Sequence, residues 1–313
     1  MVNLSSTQVE PLLVVLAGPT AVGKTQVSIS LAKHYQTAIV SCDARQFYRE
    51  LSIGTAKPTQ EEQDGVPHYF IDSHSIHELY GAGDFERDAL STLESLFRVH
   101  PVVFLVGGSG LFIKALLEGF DDMPSILPEH RHYWMQRLAA EGLPALVEIL
   151  KNVDPEYAQK VDLANTQRVV RALEVYAQTG RPISSFYGKA KKKRPFRVLK
   201  IALDRPRPEL YDRINQRVEI MFSQGLLEEA AQVKEFAHVN ALQTVGYKEI
   251  FACWRGEVAE KDLPELIAQN TRRFAKRQLT WFRHQDVFHW FHPDQEMEMK
   301  RLIDDQLKEN VEY

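Results

Sequence analysis

The chain has few cysteines, no long hydrophobic run and no basic-then-apolar stretch at its start. Only Cys42 and Cys253 are cysteines among 313 residues, which excludes a disulfide scaffold and a four-cysteine zinc site. The longest apolar runs, at 12–17 and 102–106, are far too short to cross a bilayer. The first ten residues do not resemble a secretory signal. We therefore expect a cytoplasmic protein without a membrane partner.

Positive charge is also in deficit, because the formal net charge is -4. Spread evenly, this charge would argue against a nucleic-acid partner. However, residues 189–197 contain six basic side chains and residues 271–283 contain five, and neither segment has an acidic one. Local potential governs the binding of a polyanion more than the net charge does, so two basic patches on an acidic body leave such a partner open.

Short apolar runs alternate with helical patterns in the first half of the chain. The predicted buried strands are 11–18, 38–41, 102–106 and 197–203. Helices are predicted at 24–34 and 82–97, and this alternation indicates a parallel sheet covered on both faces. The long gap before the fourth strand has helical periodicity at 129–140 and 166–178. We predict an α/β core in 1–120, an inserted helical domain in 121–196, and core completion with C-terminal helices in 197–313.

A glycine-rich loop lies between the first predicted strand and the first predicted helix. Its sequence, GPTAVGKT, matches the pattern G-x-x-x-x-G-K-[ST]. Backbone N–H groups of such a loop converge on phosphate oxygens, and the helix N-terminus adds a positive field. We expect Lys24 to neutralise a terminal phosphate and the Thr25 hydroxyl to bind Mg²⁺. The predicted phosphate-binding residues are Gly18, Pro19, Thr20, Ala21, Val22, Gly23, Lys24 and Thr25. Together with the strands, they predict a P-loop NTPase-like core.

An acidic residue is expected at the end of a second strand if the chain hydrolyses a nucleotide. The strand at 102–106 runs instead into Gly107-Gly108-Ser109-Gly110, which has no carboxylate. The strand at 38–41 is followed closely by Asp43, at the sheet edge where open α/β folds bind ligands. Asp43 is therefore a candidate metal ligand or general base, and the alternative is a solvated carboxylate or a helix cap.

Several segments resemble the bacterial tRNA dimethylallyltransferases, also called tRNA isopentenyltransferases. Besides GPTAVGKT, the resemblance rests on SCDARQFYRELSIGTAKP from residue 41, LVGGSGLF from 105, NTQRVVRALEVY from 165, TVGYKE from 244 and AKRQLTWFR from 275. This family transfers a dimethylallyl group from dimethylallyl diphosphate to N6 of the adenine 3′-adjacent to the anticodon and releases diphosphate. The resemblance thus implies an enzyme whose partners are the tRNA anticodon stem-loop and dimethylallyl diphosphate, with Mg²⁺ as cofactor and no ATP consumed. We expect a monomer.

The resemblance also implies roles for the candidate catalytic residues. Lys24 and Arg217, with Arg213, would stabilise the charge that grows on the diphosphate leaving group. Asp43 would accept a proton from N6 late, as the new bond forms, because an exocyclic amine is a very poor acid beforehand. Ser109 stands where the family usually has threonine and keeps a hydroxyl for the reacting centre.

Further residues are expected to contact tRNA. Gln46 would read the target base or a neighbouring base, and Tyr48 would stack nearby. Phe112 lacks the phenol of the tyrosine that is common at its position. The adenine must leave its stack to enter a pocket. The remaining predicted contacts are Gln167, Arg168, Arg171, Gln243, Gly246, Lys248, Arg272, Lys276, Arg277 and Arg283. For Arg168 and Arg171 the alternative is a solvated helix face paired with Glu174.

Two other functions share some of these features. A small-molecule or nucleotide kinase would have the phosphate loop and an inserted helical lid, but it would turn over ATP and need no basic C-terminal helix. An RNA-binding adaptor would tolerate a degenerate loop, and the intact Lys24 and Thr25 argue against it. The basic run 189–194 either binds phosphates or is a mobile charged loop.

Overall fold

The computed structural model of the chain describes residues 10–119, 123–124, 126–188 and 192–308. The strands within these ranges are β1 (Leu12–Ala17), β2 (Ile39–Ser41), β3 (His68–Tyr69), β4 (Val102–Gly107), β5 (Arg197–Leu203) and β6 (His289–Phe291). They form one sheet in the order β3-β2-β4-β1-β5-β6, and each neighbouring pair is parallel. The predicted P-loop-like α/β fold is confirmed.

Helices flank the strands and make up most of the remaining chain. They are α1 (Lys24–His34), α2 (Gln60–Gln63), α3 (Ala82–Leu96), α4 (Gly110–Glu118), α5 (Pro128–Val153), α6 (Pro155–Lys160), α7 (Thr166–Thr179), α8 (Arg207–Ser223), α9 (Leu226–Gln232), α10 (Tyr247–Trp254), α11 (Leu263–Gln285) and α12 (Glu296–Lys308). In the part of the chain that the structure describes, no helix is long and apolar enough to span a membrane.

The centre of the sheet is built from its most apolar strands. All six residues of β1 are buried, and β1 pairs with β4 from Leu12 to Ala17 and with β5 over the same length. A strand buried on both faces must be apolar throughout, which explains why its pattern does not alternate. The two edge strands, β3 and β6, were not predicted, because two or three residues carry no recognisable period.

The chain divides into two compact units. The first comprises residues 1–118 and 193–313 and contains the sheet. The second, residues 119–192, is helical and packs a core of its own around Trp134, Leu150 and Leu173. Its long helix α5 is kinked at Gly142, where φ is 77°. The predicted helix at 129–140 ends just before this kink, because the glycine interrupts the apolar periodicity.

Arg194 belongs to the sheet-containing unit and is buried there. It forms an ion pair with the buried Glu86 at 2.8 Å and donates a hydrogen bond to the carbonyl oxygen of Ala115 at 3.0 Å. Residues 189–191 of the same basic run lie outside the described residues. Arg194 therefore has a structural role that neither interpretation of the run anticipated.

The end of β4 leaves no room for a side chain. A Cβ on Gly107 would lie 2.0 Å from the carbonyl oxygen of Cys42, whose own N–H donates to Val106 at 2.7 Å. We expect Gly107→Ala to lower the free energy of unfolding by about 1–3 kcal/mol or more, because β2 and β4 must separate. Gly83→Ala is the control, since its added Cβ meets no atom within 4 Å. Equal thermal unfolding midpoints for the two variants would contradict this packing.

Candidate active site

The carboxyl ends of β1, β2 and β4 open into a pocket of about 860 Å³. The glycine loop, the segments that follow β2 and β4, and helices α8 and α11 supply its walls. The lining residues include Lys24, Asp43, Ser109, Arg213, Arg217 and Trp281. All four candidate catalytic residues thus lie around one cavity, although they come from four separate segments.

Glycine is required at two points of the phosphate loop. Gly23 has a φ of 109°, which side-chain-bearing residues rarely adopt, and a Cβ on Gly18 would lie 2.9 Å from the carbonyl oxygen of Leu203. The loop can therefore turn sharply into α1, whose first-turn N–H groups have no partner within the helix. The Lys24 Nζ donates to the carbonyl oxygens of Gly18 at 2.9 Å and Pro19 at 2.8 Å. An ammonium has three hydrogens, so one is left for a ligand.

The charge of Lys24 depends on its surroundings. Burial lowers its pKa to about 8, the carboxylate of Asp43 opposes this shift, and the positive charge of Arg217 adds to it. An anion placed beside Lys24 would favour the protonated form and raise the pKa again. The surroundings of Lys24 are therefore short of negative charge.

Two arginines of α8 hold the phosphate loop from one helix face. Arg213 donates from Nε to the carbonyl oxygen of Ala21 at 2.8 Å, and Arg217 donates from Nη1 to the Thr20 hydroxyl at 3.4 Å. Their i, i+4 spacing places both on the same side of α8. Burial, and then the neighbouring charge of Arg213, lowers the pKa of Arg217. Both guanidiniums line the pocket, as the predicted role in binding diphosphate requires.

Gln278 is a residue of this site that sequence reasoning missed. Its Oε1 accepts the N–H of Thr20 at 2.9 Å, and its Nε2 donates to the carbonyl oxygen of Gly108 at 2.9 Å. The side chain is buried, with 8% exposure, on the apolar face of α11 that Ala275 and Phe282 also form. The Thr20 amide was expected to face the leaving group, and here it donates to Gln278. A polar residue on the apolar side of an amphipathic helix is the signal that could have revealed it.

Asp43 and Ser109 present uncommitted hydrogen-bonding capacity to the pocket. One oxygen of Asp43, Oδ1, accepts the N–H of Arg45 at 3.0 Å, and Oδ2 accepts no hydrogen bond from the residues that the structure describes. The Ser109 hydroxyl oxygen accepts the N–H of Ala44 at 2.9 Å, so its own hydrogen remains for a ligand. The site therefore offers one carboxylate oxygen as acceptor and one hydroxyl as donor.

A divalent metal would find few protein ligands at this site. Over residues 10–308, apart from the gaps named above, no group of three or more His, Cys, Asp or Glu residues is arranged to hold one. Thr25 is exposed in the first turn of α1 and lines the same pocket as Asp43. Mg²⁺ typically takes one or two protein oxygens and completes its shell with water and phosphate. This donor set fits a Mg²⁺ ion shared with a phosphate ligand, and it does not fit an all-protein cage.

The residues at the positions predicted to contact the target base, Gln46, Tyr48 and Phe112, differ in how they are exposed. Gln46 lines the pocket. Tyr48 has only 3% exposure and packs edge-on against Phe47, so it presents no open ring face in this conformation. Phe112 is buried between the rings of Phe47 and Phe85.

The predicted tRNA contacts of the sheet-containing unit divide into two groups. Besides Asp43 and Gln46, four of them line the pocket, namely Gln243, Gly246, Lys248 and Arg277. Arg272, in contrast, donates to the Asn215 side chain at 2.6 Å, which joins α11 to α8, and Arg283 pairs with Asp204 at 2.6 Å. Lys276 is exposed outside this pocket. Arg272 and Arg283 thus have protein partners that compete with an RNA phosphate.

The predicted contacts of the helical unit lie on α7. Gln167 and Arg168 are exposed. Arg171 lies 3.6 Å from the buried carboxylate of Glu174 and donates to the carbonyl oxygen of Pro124 at 3.2 Å. The pairing of Arg171 with Glu174 is the one that the alternative interpretation of this helix expected.

The IPP transferase family model matches residues 46–285. The chain belongs to this family. It is 49% identical over 297 residues to the tRNA dimethylallyltransferase of Cytophaga hutchinsonii, an alignment that covers 95% of this chain and 98% of that protein. It is 47% identical to tRNA dimethylallyltransferase 1 of Phocaeicola vulgatus, over 93% of this chain and 97% of that protein.

Solved IPP transferase structures agree with the fold. The full-length tRNA isopentenylpyrophosphate transferase of Bacillus halodurans matches with a TM-score of 0.71 and 35% identity, over 96% of this chain and 98% of that one. A eukaryotic dimethylallyltransferase acting on tRNA matches with a TM-score of 0.72 and 27% identity, over 87% of this chain and 69% of that one. The resemblance found in the sequence is confirmed.

The lowered pKa of Lys24 predicts that this member of the IPP transferase family takes up a proton when it binds an anion. Near pH 8 about half of the free chains lack the Lys24 proton, and a bound anion restores it. Calorimetric titration with inorganic pyrophosphate in two buffers of different ionisation enthalpy should show more proton uptake at pH 8 than at pH 6.5, and affinity should fall as pH rises through 8.

Lys24→Arg is the matched control, because its guanidinium stays protonated throughout this range. The proton changes of pyrophosphate itself are common to both chains, so their difference isolates Lys24. Equal uptake by the two chains at pH 8 would contradict the assignment.

Proposed function

We propose that this chain transfers a dimethylallyl group from dimethylallyl diphosphate to N6 of the adenine 3′-adjacent to the anticodon of tRNA, and releases diphosphate. The observation that carries the proposal is that the phosphate loop and Asp43 line one pocket. The pocket can therefore hold an anionic leaving group and a base at the same time. Family membership and the names of the relatives support the same reaction.

Departure of diphosphate from an allylic carbon needs positive charge around the leaving oxygens. Lys24, Arg213 and Arg217 supply three cationic groups, and the first turn of α1 supplies N–H donors. Because these groups are held by the loop before substrate arrives, little reorganisation is needed as charge develops. Mg²⁺, held by Thr25 and the diphosphate oxygens, would neutralise further charge on the leaving group.

The allylic carbon gains cationic character as its bond to oxygen breaks. Phe274, Trp281 and Leu111 line the pocket and supply apolar and aromatic surface. An aromatic face attracts a cation, and an apolar wall keeps water away from a reactive carbon. A Cβ on Gly110 would lie 2.4 Å from the Trp281 ring, so the ring is held against the turn after β4. These side chains are the proposed shield of the prenyl group.

The attacking amine loses a proton as the new C–N bond forms. The unpaired Oδ2 of Asp43 is the proposed acceptor, and the Ser109 hydroxyl is the proposed donor to an acceptor atom near the reacting centre. Asp43 lies on the segment that follows β2, whereas the turn after β4 carries no carboxylate. An acidic group on only one of these two segments suits proton transfer from an amine better than the metal-dependent hydrolysis of a nucleotide.

The function is tested by transfer of label from dimethylallyl diphosphate to an unmodified anticodon stem-loop. We expect labelled RNA when Mg²⁺ is present and ATP is absent, with release of one diphosphate for each labelled adenine. Transfer that requires ATP, or a phosphorylated product, would falsify the assignment in favour of a kinase. Stem-loop binding without any transfer would favour an adaptor.

Asp43→Asn keeps the shape of the side chain and removes its basicity. We expect stem-loop binding to persist while turnover falls about a hundredfold to ten-thousandfold, the usual contribution of a general base. Asp162→Asn is the matched control, because Asp162 also accepts the N–H of the residue two positions later, at 3.0 Å, and lies outside the pocket. Normal turnover by Asp43→Asn would remove the base role.

A further inference from the structure

A single carboxylate accepts hydrogen bonds from several backbone N–H groups of the loop that follows Tyr48. The Oε2 of Glu229, in α9, accepts the N–H groups of Ser52 and Ile53, each at 2.8 Å, and its Oε1 accepts that of Gly54 at 2.9 Å. The Tyr247 hydroxyl donates to the same Oε1 at 2.5 Å. Four donors from two segments therefore converge on one side chain. Charge-assisted bonds of this kind are about twice as strong as neutral ones.

Tyr247 fixes the other side of the loop. It is fully buried at the start of α10, and a Cβ on Gly54 would lie 2.6 Å from its ring. Burial and the negative charge of Glu229 raise the pKa of the Tyr247 phenol, so it remains a donor at any working pH. The loop is thus held by hydrogen bonds to Glu229 and by close contact with a rigid ring.

The anchored loop continues directly to the partners of Gln46. The Gln46 Nε2 donates to the carbonyl oxygen of Thr55 at 3.2 Å and to that of Ala56 at 3.1 Å. Both amide hydrogens are then committed, and the flipped amide would place its oxygen against two carbonyl oxygens. Oε1 is left as the polar atom that Gln46 offers to a ligand. Because Gln46 lines the pocket, this oxygen is available there as a hydrogen-bond acceptor.

We propose that Glu229 is a positioning residue that, by fixing the loop at 52–56, holds Gln46 as an acceptor and so selects a base with an exocyclic amino group. The inference rests on the proposed function. An adenine amino group carries two hydrogens, one for the Asp43 carboxylate and one for Gln46. A base with a carbonyl oxygen at the same position would set acceptor against acceptor, and unsubstituted purine would leave Gln46 without a partner.

The test compares binding of two anticodon stem-loops, one with the target adenine and one with unsubstituted purine in its place. We expect the wild-type chain to bind the adenine loop about a hundredfold more tightly, because purine loses the hydrogen bonds to both Asp43 and Gln46. Glu229→Gln should lower this ratio to about tenfold, because Gln46 is no longer held in place while Asp43 still accepts one amino hydrogen. The affinity for inorganic pyrophosphate should stay unchanged in the same variant.

Two further variants separate positioning from general stability. Tyr247→Phe keeps the ring and removes one of the four donors, so it should lower the ratio by a smaller amount even if Glu229→Gln folds poorly. Glu50→Gln is the matched control, because Glu50 accepts the Ser75 hydroxyl at 2.6 Å and the Ile76 N–H at 3.0 Å and lies outside the pocket. It should lose some thermal stability and keep the full wild-type preference for the adenine loop.

An unchanged adenine preference in Glu229→Gln and Tyr247→Phe would overturn the inference, whatever the loss of thermal stability. A wild-type chain that transfers the prenyl group and shows no preference for the adenine loop would also overturn it, while leaving the proposed function in place. Absence of transfer by the wild-type chain would overturn the proposed function and this inference with it.

Discussion

The hydrogen bonds of the buried Gln278 side chain join three parts of the molecule that are distant in sequence. Its amide accepts a hydrogen bond from the phosphate loop and donates one to the turn after β4, while its backbone belongs to α11. Removing either bond would leave a buried polar group unsatisfied, at a cost of about 1–3 kcal/mol. The position of Gln278 also explains a glycine in the turn after β4, because a Cβ on Gly108 would lie 2.3 Å from the Gln278 amide nitrogen. A helix close to the end of the chain thereby positions a loop close to its start.

This arrangement concentrates positive charge on one side of the pocket of an acidic protein. Lys24, Arg213 and Arg217 surround the phosphate loop, whereas Asp43 presents a single carboxylate oxygen. The cationic groups and the carboxylate suit different parts of the reaction, since the leaving group needs cations and the attacking amine needs a proton acceptor. The pKa of Lys24 is lowered mainly because the side chain is buried, and the charge of Arg217 adds to this effect.

Local sequence predicted the parts of the fold whose pattern is local. The apolar runs of β1, β4 and β5 and the spacing of the glycine loop were sufficient to predict the sheet and the loop between β1 and α1. The hydrogen-bond partners of Gln278 and Glu229 depend on which distant segment packs against them, and no local period encodes that. Similarly, charge spacing on α11 did not distinguish Arg272, which bonds to Asn215, from Arg277, which lines the pocket. The resemblance to a family supplied roles for Arg272 and Arg277, but not their partners.

The most direct test of the account is a crystal structure of the full chain with an unreactive analogue of dimethylallyl diphosphate and an anticodon stem-loop. The account predicts that the diphosphate lies on the backbone amides and cationic groups around Lys24, and that the everted adenine places N6 within hydrogen-bond distance of the Asp43 carboxylate. An adenine bound elsewhere, or an Asp43 side chain turned away from it while both ligands are bound, would contradict the central claim.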